Sequence, residues 1–195
     1  MTGALLVLGA GGHGKSVAEA ALLGGQWDRV VFLDDAWPDV SEALGFEVLG
    51  KVADIAAVAD RCQGAIAAVG NNAVRDQWID LIERAGIELV SVVHPKAWVS
   101  LSAVVGAGTA VMAGAVVGTL ADVGRGVIIN ANATVDHDVV MEKLSHIGVG
   151  VQLAGGVRVG ARAWLQAGSS CGYGVVVKAG VTLGPGTVLG CLAGR

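Results

Sequence analysis

Aromatic side chains are scarce, 4% of 195 residues, with five Trp, two Phe and a single Tyr. Val, Ala and Gly with so few rings suit thin, repetitive, β-rich packing rather than a core of interlocked aromatics. Charge is also short: 15% of residues are Asp, Glu, Lys or Arg, against a usual ~25%. That poverty of charge, beside 53% apolar residues, excludes a disordered chain. Only three prolines and no strict Gly-X-Y period exclude a collagen-like one. The formal net charge is −4, and no basic cluster is present, so the electrostatic footprint of nucleic-acid binding is missing. Cys62, Cys171 and Cys191 are an odd set without metal or redox spacing, which implies a reduced, cytoplasmic protein with no disulfide framework. No basic segment follows Met1, so no signal peptide is expected.

What is abundant is glycine, 31 residues, about twice the usual ~7% share. Residues 97–121 carry no charge, a length that elsewhere suggests a membrane span. The stretch is instead rich in Gly, Ala, Ser and Thr, and its six-residue rhythm continues into charged sequence. From Val99, steps of six meet Val105, Val111, Val117, Val123, Ile129, Val135, Met141, Ile147, Leu153, Val159, Leu165, Cys171, Val177, Leu183 and Leu189. Four residues after each of the first fifteen stands Ala, Val, Ser or Thr, and Gly often follows directly, as at Gly106, Gly118, Gly124, Gly148 and Gly160. Neither a helix nor an ordinary strand has this period; it marks a hexapeptide β-helix. Each hexad is read as a strand and a turn, with the aliphatic residue inward and Gly permitting the turn. Three hexads close a coil, so the sixteen inward positions give about five coils, each rising ~4.8 Å.

Residues 1–95 have another pattern. Strands are expected at 4–8, 30–33, 65–69 and near 88–93, with helices over about 14–24 and 73–85. Alternation of this kind implies a small parallel α/β sheet. The boundary is placed at His94–Pro95, giving a Rossmann-like domain over 1–95 and a β-helix over 96–195. Gly9-x-Gly11-x-x-Gly14 satisfies the dinucleotide fingerprint, and Asp34 follows at the spacing of a ribose-binding acid. The physical content is narrower than NAD: backbone N–H groups at a helix start cradle phosphate. Half a Rossmann fold suits a mononucleotide or a nucleotide-sugar.

Four histidines offer proton chemistry. His137 lies in Asp136-His137-Asp138, a polar interruption of the apolar repeat. Histidine is the usual general base near neutral pH, and an adjacent carboxylate can orient its ring. His146 follows nine residues later, half a coil on, so the two histidines project from different sides and would meet only across a subunit boundary. His13 sits in the Gly-rich loop, and His94 reads as a linker residue. A zinc site of the β-helix carbonic anhydrase kind needs three coil histidines and two are present; no Gly-x-Ser-x-Gly elbow occurs either. Cys171 falls in the inward phase and reads as core.

The order GAGGHGKS, FLDD, GNN with Arg75, HP, then hexads containing DHD and SHIGVG resembles the bacterial sugar acetyltransferases of the hexapeptide family that carry an N-terminal Rossmann-like domain. The likeness runs over nearly the whole chain. It is greatest to the N-acetyltransferases of nucleotide-linked 4-amino-4,6-dideoxy sugars, of bacillosamine and perosamine type, with the sialic acid O-acetyltransferases as a sister group. The resemblance implies an α/β domain followed by an all-β left-handed parallel β-helix, a homotrimer with sites between subunits, acetyl-CoA as co-substrate and no metal. It implies His137 as general base, Asp138 as its carboxylate partner, and His146 and Gly155 at acetyl-CoA, the Gly155 N–H facing the acetyl carbonyl. It places Gly11, Gly12, His13 and Gly14 at the phosphates, and Asp34, Asp35 and Asn71 around the base and ribose. The family usually ends in a Gly-x-Pro-Ala segment, where this chain has Cys191-Leu192-Ala193-Gly194-Arg195, so contacts to coenzyme A there are expected to differ. A hydroxyl acceptor and a non-catalytic nucleotide-sugar sensor are the alternative readings.

Overall fold

The computed structural model describes residues 3–190, so the atypical end from Cys191 onward lies outside the described residues. The chain divides into two compact units, Met1–Pro95 and Lys96–Arg195. In the first, β1 (Ala4–Leu8) is followed by α1 (Gly12–Leu23), β2 (Arg29–Leu33), a hairpin of β3 (Glu42–Ala43) and β4 (Phe46–Glu47), α2 (Ile55–Val58), β5 (Gly64–Ala67) and α3 (Asn72–Arg84). The sheet order is β2-β1-β5, all parallel, with Leu6 opposite Val31 and Ala65. β1 is buried at every residue, as an unbroken aliphatic run in the middle of a parallel sheet should be. Because β1 is flanked by β2 on one side and β5 on the other, the strand order reverses at its carboxyl end, where open α/β sheets bind ligands.

Several features of this unit depart from the sequence reading, among them the short helix α2, which the sequence reading lacks. The expected strand near 88–93 is present as a two-residue strand, Val92–Val93, and meets this sheet at one bridge only: Glu88 O accepts from Ala65 N–H at 2.8 Å, and Val90 N–H donates to Ala65 O at 3.0 Å. Glu88 and Ser91 interrupt the aliphatic run that a strand buried on both faces requires. The β3–β4 hairpin was not anticipated. Its loop, Leu44 (φ 54°) and Gly45 (φ 78°), is the left-handed pair that a tight hairpin demands.

The second unit has sixteen two-residue strands, from Trp98–Val99 to Val188–Leu189. They stack as three parallel faces, so that Val117 pairs with Val135, Val135 with Leu153, and Leu153 with Cys171. Six strands form the first face, with Thr134–Val135 among them; five form the second, with Val140–Met141, and five the third, with His146–Ile147. The inward aliphatics and the small residues four places on form one buried column, Cys171 included, with Val99, Val105, Leu183 and Leu189 less covered at its ends. The uncharged stretch 97–121 is part of this solenoid, and among the described residues no helix is long and apolar enough to cross a membrane.

The glycines that follow the inward residues have a different role from the one expected. Gly106, Gly118, Gly124 and Gly148 are not in the left-handed region. A Cβ at any of them would stand 2.6–2.9 Å from backbone atoms of the next coil, so close stacking of coils is what excludes a side chain. The left-handed turn position comes two residues later. There nine glycines alternate with Leu120, Asn132, Asp138, Leu144 and Arg162, all with φ of 55–62°.

Candidate active site

At the carboxyl ends of β1, β2 and β5 opens a cavity of about 280 Å³. Gly9, Gly11, Gly12 and His13 line one side, Asp34 another, and Ala68, Val69, Gly70 and Trp78 the rest. Two kinds of glycine meet here. Gly9 (φ 103°) is required by its backbone conformation, and a Cβ on Gly14 would collide with the Gly9 carbonyl oxygen. Gly11 and Gly12 are required by nothing in the fold: a Cβ at either would have no atom within 4 Å. They leave bare backbone at the start of α1, whose N-cap has no side-chain hydrogen bond. Unoccupied first-turn N–H groups behind an open approach are what a phosphate needs.

The other residues marked in this unit take definite positions. Asp34 lines the cavity while its carboxylate accepts from Ala10 N–H (2.6 Å) and Ala36 N–H (2.8 Å), which ties the Gly-rich loop to the end of β2. Asp35 accepts from Val52 N–H at 3.1 Å and so anchors a neighbouring turn. Asn71 caps α3, its Oδ1 accepting from Ala73 and Val74 N–H; it is not among the cavity residues. His13 Nε2 is buried and, among the described residues, has no hydrogen-bond partner. Burial, followed by the charge of Arg75, holds the His13 pKa down at about 4, so its ring is neutral.

Arg75, seen in the sequence only as part of a motif, is fully buried. It donates to Val69 O (2.9 Å), Gly70 O (3.3 Å) and Asn72 Oδ1 (2.7 Å), fixing the turn that forms the cavity wall. Burial lowers its pKa to about 10, which leaves it charged at neutral pH. A second cavity of about 280 Å³ lies near the carboxyl end of α1, against Trp27 and Val93, and none of the marked residues reaches it.

In the β-helix, His137 occupies the turn between Val135 of the first face and Val140 of the second. Its Nδ1 is 2.8 Å from Asp138 Oδ2, and its backbone N–H donates to Asp136 Oδ1 at 2.7 Å. Asp138 stands at the left-handed turn position (φ 59°), a conformation that Asp tolerates better than most residues. An ionised carboxylate only accepts, so Nδ1 carries the proton and the Nε2 lone pair is the basic one. The Asp138 hydrogen bond, and then the charge of Asp136, raise the pKa of His137 above its ordinary 6.5. The imidazole is 49% exposed, open to a substrate.

One coil on, Gly155 faces that ring. A Cβ there would be 2.5 Å from both Cε1 and Nε2 of His137, so only glycine lets the imidazole lie where it does. The Gly155 carbonyl accepts from Gly174 N–H and the next amide, Gly156 N–H, donates to His137 O; among the described residues the Gly155 N–H has no hydrogen-bond partner. A base and a bare N–H therefore share one corner, the two elements that acyl transfer asks for. His146 is elsewhere, on the third face, only 7% exposed and stacked on Trp164 with centroids 5.6 Å apart and planes 14° apart. Within one chain the fold does not bring His137 and His146 together. Among the described residues, no cluster of His, Cys, Asp and Glu could hold a metal ion.

Known proteins share this construction. Residues 4–82 match the model of the PglD N-terminal domain. The UDP-N-acetylbacillosamine N-acetyltransferase of Bacillus subtilis (strain 168) is 31% identical over 118 residues, 54% of this chain; the match spans half the length of that relative. The acetyltransferase domain of PglB from Neisseria gonorrhoeae FA1090, solved with acetyl coenzyme A, is 37% identical, with a TM-score of 0.90 over 96% of this chain and 92% of the other. A histidine mutant of perosamine N-acetyltransferase from Caulobacter crescentus, solved with CoA and GDP-perosamine, is 32% identical, with a TM-score of 0.90 over 97% of this chain and 91% of the other. With such identity over nearly its full length, the chain belongs to the hexapeptide-repeat sugar N-acetyltransferase family of bacillosamine and perosamine type.

Proposed function

We propose that the protein transfers acetyl from acetyl-CoA to the 4-amino group of a nucleotide-linked 4-amino-4,6-dideoxy sugar, with His137 as general base. The observation that carries this reading is the Asp138–His137 hydrogen bond set over Gly155. The amine nitrogen attacks the thioester carbonyl carbon while His137 Nε2 takes its proton. The tetrahedral oxyanion is held by the Gly155 N–H, a donor of the kind that contributes about 3 kcal/mol of barrier lowering. The C–S bond then breaks, and the coenzyme A thiolate leaves with the proton returned from the imidazolium. No covalent enzyme intermediate is formed. The nucleotide phosphates sit at Gly11, Gly12, His13 and Gly14, with Asp34, Asp35 and Asn71 toward the base and ribose, and their binding energy positions the amine. A homotrimer completes the site, with His146 of a neighbouring copy at the donor.

The relatives' substrates motivate the choice of acceptor: one is named for UDP-N-acetylbacillosamine and another was solved with GDP-perosamine. Thiol release from acetyl-CoA, measured with UDP- and GDP-linked 4-amino sugars beside CMP-sialic acid and free sialic acid, tests it. Turnover with one of the amino sugars is expected. Turnover confined to a hydroxyl acceptor would overturn N-acetylation, and nucleotide-sugar binding without any turnover would point to a sensor.

A further inference from the structure

The corner that carries His137 is a column of turns, one per coil: Thr119, His137, Gly155 and Tyr173 stand in the same place on successive coils. Residues two coils apart are separated along the axis by about 9.6 Å. Yet the rings of His137 and Tyr173 have centroids only 6.4 Å apart, tilted by 47°, inside the range of aromatic pairs. Both side chains therefore lean toward each other across the intervening coil. They can do so because Gly155 puts no side chain between them: a Cβ there would strike the imidazole. Tyr173 is 66% exposed and belongs to no buried cluster, so packing of the fold does not account for it. It is also the only tyrosine in the sequence.

We propose that Tyr173 is a positioning residue for the His137 imidazole, its ring bounding the imidazole from beyond Gly155 while Asp138 holds Nδ1. This deepens the reading of His137 as the base and rests on it. The Asp138 hydrogen bond joins two exposed side chains, so by itself it lets ring and carboxylate shift together. The phenol ring removes that freedom on the side where Nε2 and the Gly155 N–H must both face the reacting carbonyl. The charged groups around the imidazole are Asp136 and Asp138 on its own turn. The turns stacked on either side of it, Thr119–Leu120 and Gly155–Gly156, carry none.

The test compares Tyr173→Phe and Tyr173→Ala with the parent protein, by NMR titration of the His137 Cε1 proton and by steady-state acetyl transfer. Assignment uses His137→Ala. If the ring positions the imidazole, Tyr173→Ala loosens the Asp138 hydrogen bond. His137 then titrates lower by about half a unit, and kcat falls about tenfold. KM for acetyl-CoA and the melting temperature stay near the parent values. Tyr173→Phe keeps the ring and is expected to match the parent in both measurements. Parent-like titration and kcat in Tyr173→Ala would overturn the proposal, and so would Tyr173→Phe failing as badly as Tyr173→Ala. The titration needs no turnover. A shifted titration beside full activity in His137→Ala would therefore fault the general-base reading and leave the ring contact standing.

Discussion

At the residue scale the proposed chemistry rests on three positions: His137, Asp138 and the missing side chain of Gly155. The last is the most exacting. Gly155→Ala puts a methyl 2.5 Å from the imidazole, and because the ring is the flexible partner, it is the ring that moves. A displacement of this size costs about 100-fold in rate, with no comparable loss of melting temperature. Steady-state kinetics beside a thermal melt checks both. Asp138→Asn keeps an acceptor but replaces the carboxylate, whose hydrogen bond chiefly raises the His137 pKa, with a weaker neutral one. The base must be deprotonated to act, so activity falls as pH drops through that pKa; in Asp138→Asn the acid limb of kcat/KM should move to lower pH. An unmoved limb would dissociate the limb from His137.

His13 makes the opposite case. Its folded pKa of about 4 lies below the ordinary 6.5, so between those values the unfolded chain binds the proton more readily. Stability is lost as pH falls through that window, by up to roughly 3 kcal/mol. His13→Gln should flatten the dependence of Tm on pH there. The sequence showed His13 in the loop and Asp138 beside His137. It could not show that His13 is buried against Arg75, or that Tyr173 reaches His137 from 36 residues away, because both facts depend on how distant segments stack.

At the scale of elements, the loop between β1 and α1 separates fold from ligand. Gly14→Ala sets a methyl against the Gly9 carbonyl oxygen, backbone against side chain with nothing able to yield. It should unfold or severely destabilise the first unit. Gly11→Ala meets open space and should leave the melting temperature near that of the parent while lowering nucleotide affinity, measured by calorimetry with UDP and GDP. Equal affinity in Gly11→Ala would remove the phosphate from this loop. The fingerprint was legible because its spacing is local. Asn71 and Asp35 were legible as polar residues at strand ends, but not that Asn71 caps α3 and Asp35 anchors Val52. Side chains so engaged still have lone pairs or donors to offer a nucleotide, so their structural duty and the proposed contact are compatible.

At the scale of the molecule, the repeat was the most readable feature, since each hexad solves the same packing problem and the solution recurs every six residues. What the period alone misjudged was the reason for its glycines: coil-to-coil contact at Gly106 and Gly118, left-handed backbone at Gly108 and Gly114. A solenoid is held by nearest-neighbour interfaces. Leu153→Ala, in a central coil, should cost about 3 kcal/mol. Leu189→Ala, at the less covered end, should cost less, a difference that thermal melts would show. The stacked coils on both sides of the His137 corner are what keep its imidazole and the Gly155 N–H in one geometry. The most direct measurement of the general-base reading is acetyl transfer from acetyl-CoA to a nucleotide-linked 4-amino sugar by a His137→Ala variant that melts at the same temperature as the parent. A fall in kcat of about 10²–10⁴-fold is expected, and turnover at the parent rate would contradict it.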